Sequence, residues 1–252
     1  MVVIGIISAK GGVGKTTVTS NLSSALVKFF GKRVLAVDGN ITTPNLGIHF
    51  GMLSQENTLN EVLAEKIDVT QAIYIHPSGV HIIPSSLSAM VEYPDVGKLK
   101  EKIDKIKDNY DYVLIDGAAG IGKEVISTIK ASDKILLVSN PDMTAILSMI
   151  KAKKIVHMLN NSLYGLVLNK VEGKKYEMKK EKIEELSEVN IIGEVPFDKK
   201  VIESISKMTP IVLLDGRAKA SRAFKKIAAH ITQEIFIEKE SIWEKIKRFF
   251  HL

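Results

Sequence analysis

The chain contains no cysteine, which removes disulfides, thiolate metal sites, iron–sulfur ligation and cysteine nucleophiles together. No stretch approaches the roughly 18 consecutive apolar residues needed to span a bilayer. The amino end also lacks the basic flank and cleavage pattern of a signal peptide, so the expectation is a cytoplasmic protein. Gly/Ser-rich and Pro-rich linkers are missing, as is any repeat of fixed period, and at 252 residues the default is one sizeable domain. The six histidines, His49, His76, His81, His157, His230 and His251, are scattered. Without a convergent His or carboxylate cluster there is no second substrate site for a metabolic enzyme, and each His reads as a surface or satisfied core residue.

What is present is a 45% hydrophobic composition arranged in a regular order. Runs rich in Val, Ile and Leu at 2–7, 33–37, 80–83, 112–115, 135–138 and 163–168 read as strands buried on both faces. Segments of helical spacing at 16–30, 96–107, 123–131 and 144–159 lie between them. Strands alternating with helices predict an α/β fold, a doubly wound and mostly parallel sheet flanked by helices. The charge-dense stretch 172–188 reads as a solvated loop and helix, and 218–237 as one long helical pattern. The net charge of +6 is compatible with a phosphate-rich partner and equally with solubilising surface.

The first strand runs into a glycine-rich turn, Lys10-Gly11-Gly12-Val13-Gly14, and Lys15-Thr16-Thr17 opens a helix. Strand, loop and helix together are the context that gives a phosphate-binding loop its meaning. Glycines let successive N–H groups point inward at phosphate oxygens, and the helix N-terminus adds partial positive charge. Lys15 would lie along the β and γ phosphates of ATP, and the Thr16 hydroxyl would hold Mg²⁺. The usual eight-residue pattern fails at its first position, Ala9, and a second lysine, Lys10, stands five residues before Lys15.

That K-G-G-x-G-K-T-T form resembles the deviant Walker A ATPases of the MinD/ParA family, and the likeness covers nearly the whole chain. It implies a P-loop ATPase domain over residues 1–238. It further implies that Asp38, ending the second strand, opens switch I and either polarises the attacking water or joins the metal shell. Asp116, ending Tyr112-Val113-Leu114-Ile115, would reach Mg²⁺ through a water, and 117–121 would form switch II. Ile41-Thr42, Asn45-Leu46-Gly47, Gly51-Met52 and Asn140-Pro141-Asp142 look much like the corresponding runs of MinD proteins. Asn169 falls where relatives hydrogen-bond adenine, and Pro196-Phe197-Asp198 where a loop closes over the base. Lys10, on the outer edge of the loop, would cross a two-fold axis to a second subunit's nucleotide, making an ATP-dependent homodimer.

One departure concerns switch I, where many MinD-like chains carry Asp-x-Asp and this one reads Asp38-Gly39-Asn40. An amide cannot act as a base or add negative charge to a metal shell, so weak or partner-stimulated hydrolysis is expected. At the other end, Ile242, Trp243, Ile246, Phe249 and Phe250 share one helical face bordered by Lys245, Lys247, Arg248 and His251. The composition suits an anionic headgroup boundary, and residues 241–252 resemble the membrane-targeting helix that ends MinD proteins.

The resemblance therefore implies an ATP-controlled switch between cytoplasm and the inner face of the cell membrane that positions an unidentified protein partner, in cell division or a similar process. A ParA-like DNA-partitioning ATPase is the less favoured alternative. A flagellar-number ATPase is another, although the N-terminal extension typical of those relatives has no room before a first strand that starts at Val2.

Overall fold

In the computed structural model, residues 1–88 and 94–236 are described. The chain runs β1 (Val2–Ser8), α1 (Lys15–Phe30), β2 (Val34–Asp38), α2 (Leu46–His49), α3 (Leu59–Leu63), β3 (Tyr74–Ile75), β4 (His81–Ile83), α4 (Leu99–Asp104) and β5 (Tyr112–Ala119). It continues with α5 (Lys123–Ala131), β6 (Lys134–Ser139), α6 (Met143–Met158), β7 (Ser162–Val171), α7 (Lys180–Ser187), β8 (Ile191–Pro196), α8 (Lys199–Ser206), α9 (Ile211–Leu214) and α10 (Lys219–Thr232). The strands form one sheet in the order β3-β4-β2-β5-β1-β6-β7-β8. All neighbours are parallel except the edge pair β3 and β4.

Side chains alternate across a strand, so a sheet covered on both faces needs apolar residues at odd and even positions alike. Ile4 and Ile6 of β1, Leu114 of β5, Leu136 and Val138 of β6 and Val167 of β7 enter one core with Val18, Leu22 and Leu26 of α1 and Phe224 and Ile227 of α10. Their neighbours Ile7, Ile135, Leu137, Leu166 and Leu168 enter a core on the opposite face with Ile129, Ile146 and Met149. Val3, Leu35, Val37, Val113 and Ile115 pack there against Leu99 and Ile103. Phe224 is fully buried, and Phe224→Ala should cost about 3–5 kcal/mol. The crevice forms where the chain changes direction: β1 lies between β5, which faces the β2 half, and β6, which begins the other half.

The mostly parallel sheet matches the sequence expectation, and the departures have physical causes. Strands β3 and β8 went unseen because β3 has two residues and β8 is an edge strand carrying Gly193 and ending at Pro196. The expected strand at 33–37 begins at Val34, because the Arg33 N–H and guanidinium turn to Asp111 at 2.9 and 2.8 Å. The 96–107 pattern is not one helix: a 3₁₀ turn capped by Asp95 precedes α4, and another follows at Lys107–Asn109. Its apolar period survives because Val96, Leu99, Ile103 and Ile106 still share one core. Among the described residues of the 218–237 pattern the helix is α10, closed by left-handed Gln233 at φ 57°. Phe236 beyond it packs on Phe29 and Phe30. The apolar face of Ile242, Trp243, Ile246, Phe249 and Phe250 and the basic Lys247 and Arg248 lie outside the described residues.

Candidate nucleotide site

The glycine-rich loop leaves the carboxyl end of β1 and enters α1 through Gly14, which is left-handed at φ 95°. α1 has neither a side-chain cap nor an acidic residue in its first turn, whereas α6 is capped by Asp142. Its first N–H groups and the positive end of its dipole are therefore left for an anion. They border a cavity of about 460 Å³ lined by Gly11, Gly12, Gly14, Lys15, Thr16 and Thr17. The loop is also held from behind, where the Asn169 amide at the end of β7 donates to the Val13 carbonyl at 2.8 Å. A Cβ on Gly14 would stand 2.2 Å from that amide nitrogen. Positive φ and lack of space both demand glycine there.

Beneath the loop lie three buried charges. Lys15, 8% exposed, donates to Ser8 Oγ at 3.1 Å. Burial pushes its ammonium pKa down, against the opposing pull of Asp116. Asp116 accepts from Thr16 Oγ1 at 2.6 Å and Thr19 Oγ1 at 3.1 Å. Burial nonetheless pushes its carboxyl up to about 6, against the lowering influence of Thr16, Lys15 and Thr19. Asp38 is its register neighbour across β2 and β5, and burial, then the nearby Asp116, raise its pKa well above the ordinary carboxylate range. The N–H groups of Leu46, Asn40 and Asn45 pull it the other way, at 2.9, 3.2 and 3.1 Å.

Two adjacent buried carboxyls, of which only Asp116 is opposed by a lysine, form a site short of positive charge. Among the described residues no group of three His, Cys, Asp or Glu could hold a metal unaided. A cation here would thus need oxygens from a bound phosphate besides Thr16 and the carboxylates, the usual situation of Mg²⁺. The residues fit that group.

The loop after Asp38, the expected switch I, is tightly organised. The Asn40 amide reaches the Thr43 carbonyl at 2.5 Å, and its Oδ1 accepts the Thr43 N–H and hydroxyl, both at 3.2 Å. Asn40 thus pins the loop, and its donor to a carbonyl is one a carboxylate lacks. On the switch II side, Gly120 N–H donates to Ser8 O at 3.1 Å. A Cβ on Gly117 would come within 2.9 Å of Ile6 O.

Lys10 lies on the outer rim of the loop, 43% exposed. Its ammonium contacts Thr144 Oγ1 at 2.9 Å and Asp142 at 3.4 Å within its own chain. Asn140 Nδ2 donates to Asn169 O at 2.8 Å, tying the turn before α6 to the end of β7. Asn169, Pro196 and Asp198 all line the cavity, but Asn169 gives its amide to the loop. The Asp198 carboxylate caps α8, accepting Lys200 N–H at 3.0 Å.

Sequence reasoning missed the apolar wall of the cavity, formed by Val201, Ile202 and Ile205 of α8 next to Phe197. Their spacing was the available signal. His49, read from the sequence as a surface or satisfied core residue, is buried in the cavity wall with Nδ1 3.1 Å from Ser20 Oγ.

A phosphate cradle on the carboxyl edge of a parallel sheet, with apolar surface beside it at the size of a base, defines a P-loop nucleotide-binding domain. The particular family follows from comparison: the CobQ/CobB/MinD/ParA nucleotide binding domain matches residues 4–211, and the chain belongs to it. An uncharacterized ATP-binding protein of Methanocaldococcus jannaschii is 39% identical over 259 residues, covering 99% of this chain and 98% of that protein. The solved cell division ATPase MinD of Pyrococcus furiosus is 34% identical with a TM-score of 0.86, covering 92% of this chain and 98% of that one. The septum site-determining protein MinD of Pyrococcus horikoshii, solved with Mg-ADP, is 32% identical with a TM-score of 0.85, over 91% and 95% of the two chains. This is a MinD/ParA-family ATPase fold with MinD-like neighbours, and the family takes a nucleotide with Mg²⁺. Among the described residues no helix is long and apolar enough to cross a membrane.

Proposed function

We propose that the chain is a slow ATP-driven switch whose nucleotide state controls dimerisation and reversible attachment to an anionic membrane surface. The observation that carries it is the pairing of an inner lysine buried against the phosphate loop with an outer one on its rim: Lys15 at Ser8 and Lys10 at Thr144 and Asp142.

Lys15 and the N–H groups of 11–17 neutralise the β and γ phosphates. Thr16 and Asp38, and Asp116 through a water, would hold Mg²⁺, which when bound would supply positive charge to the phosphate oxygens. Asp38 would polarise the attacking water or join the metal shell. Asn40 contributes loop order without a second charge, so turnover is slow unless a protein partner completes the site. The Val201, Ile202, Ile205 and Phe197 wall takes the adenine, with Asn169, Pro196 and Asp198 beside it. Lys10 exchanges its contacts on α6 for the phosphates of a second copy. Two copies of residues 241–252 then act together, and paired weak anchors gain by effective concentration. The working location is the cytoplasm and the inner face of the cell membrane, where the dimer positions its partner.

Sedimentation with anionic vesicles tests this, with and without residues 241–252, alongside a DNA control. Binding with a non-hydrolysable ATP analogue but not with ADP, lost on truncation, is expected. Equal binding in both nucleotides sinks the switch, and retention on DNA instead of vesicles favours the partitioning alternative.

A further inference from the structure

Switch I is anchored on its inner side by the Asp38 carboxylate, which takes the N–H groups of Asn40, Asn45 and Leu46. Thr42 lies on its exposed outer side. Its N–H and its hydroxyl both donate to one oxygen, Oε1 of Glu124, each at 2.9 Å. Glu124 is half-buried in the first turn of α5, where a carboxylate is favoured by the helix dipole. The next residue, Val125, is buried in the core together with Ile129, so the carboxylate stands on a fixed base. The same helix begins directly after 117–121, whose Gly120 is bonded to Ser8 at the start of the phosphate loop. A charge-assisted, two-donor bond therefore joins the outside of switch I to the element that switch II runs into.

From this we infer that Glu124 is a positioning residue that clasps switch I to α5, so that the two segments flanking the γ-phosphate change position as one unit. It acts through Thr42 and does not line the nucleotide cavity. The inference rests on the ATP reading of the site.

The test uses the full chain and three variants, Glu124→Ala, Glu124→Gln and Thr42→Val. Three quantities are measured: hydrogen exchange of the peptide spanning 38–50, kcat and KM for ATP hydrolysis, and affinity for a fluorescent ADP. Glu124→Ala is expected to speed exchange over 38–50 by about ten-fold. It should lower kcat about five-fold while KM and the ADP affinity stay within about two-fold, the pattern of an interaction used beyond ground-state binding. Glu124→Gln keeps an acceptor oxygen and should restore both readouts. Thr42→Val removes one donor at an exposed position and should move them the same way by less, which keeps the test alive if Glu124→Ala folds poorly.

Unchanged exchange and kcat in Glu124→Ala and Thr42→Val overturn the inference. So does Glu124→Gln behaving like Glu124→Ala, and so does a parallel loss of ADP affinity, kcat and melting temperature, which marks a merely structural role. If the unaltered chain binds no ADP, the ATP reading fails and takes this one with it. If it binds ADP and switch I ignores Glu124, this inference fails alone.

Discussion

The two ends of the cavity are built on different principles. At the phosphate end the inner charged side chains are buried and have partners: Lys15 with Ser8, Asp116 with Thr16 and Thr19, Asp38 with three backbone N–H groups. At the other end Phe197 and Ile202 are 44% and 59% exposed, and α8 lines the cavity with Val201, Ile202 and Ile205. Phosphate is a charged ligand whose recognition must be pre-paid in fixed dipoles, whereas a flat aromatic ring needs only area and exclusion of water. On the proposed reading, the first end holds the phosphates and the second the base.

Breaking the phosphate end should give the largest effect. Lys15→Ala is expected to weaken ATP by about 100-fold, the loss of a charged hydrogen bond in a dry site, and to reduce hydrolysis to background; calorimetric titration and phosphate release measure the two.

The next effect is on stability and has a definite sign. Asp116 has its folded pKa near 6 against an ordinary 3.8. Its ionisation therefore burdens the folded state at high pH, and the burden lifts as pH falls through 6 towards 3.8. In EDTA, Asp116→Asn should stabilise the chain by about 2 kcal/mol at pH 7.5, a gain that shrinks to near zero by pH 4. Denaturant melts at the two pH values check it, and a destabilised variant at pH 7.5 contradicts it.

At the apolar end, Ile202→Asp should weaken ATP by only about ten-fold and leave tripolyphosphate competition unchanged. If both ligands weaken equally, the division of the cavity is wrong.

The smallest effect concerns His49. Burial holds its pKa near 4 instead of the usual 6.5, so its contribution to stability is present above 6.5 and is lost as pH falls towards 4. Lowering pH from 7 to 5.5 should cost about 1 kcal/mol through this residue, a slope that His49→Gln removes.

What could be read without coordinates divides along the same line. Glycine spacing, two lysines and aspartates ending apolar runs are rigid requirements of phosphate chemistry, so Lys10 to Thr17, Asp38 and Asp116 stood out as candidates. Ile202 and Ile205 obey only helical periodicity, which any surface helix shares. Asn40 was legible as a missing charge, but its bonds to Thr43 were not, because they depend on the loop's shape. Glu124 reads in sequence as an ordinary helix-surface acid, and its pairing with Thr42 spans 82 positions. The core followed from continuous apolar runs, while β3 escaped because it has two residues and β8 because an edge strand tolerates Gly and Pro.

The contact between Asn169 and the phosphate loop joins positions 156 residues apart, which bears on the order of synthesis. A nascent chain halted before residue 169 already carries the full stretch from Lys10 to Thr17, yet lacks the amide that fixes Val13 and fills the space beside Gly14. Its loop must order itself at the expense of binding energy. Full affinity for a nucleotide is thus expected only once β7 has joined the sheet, so that a motif near residue 10 depends on a strand more than 150 residues further on.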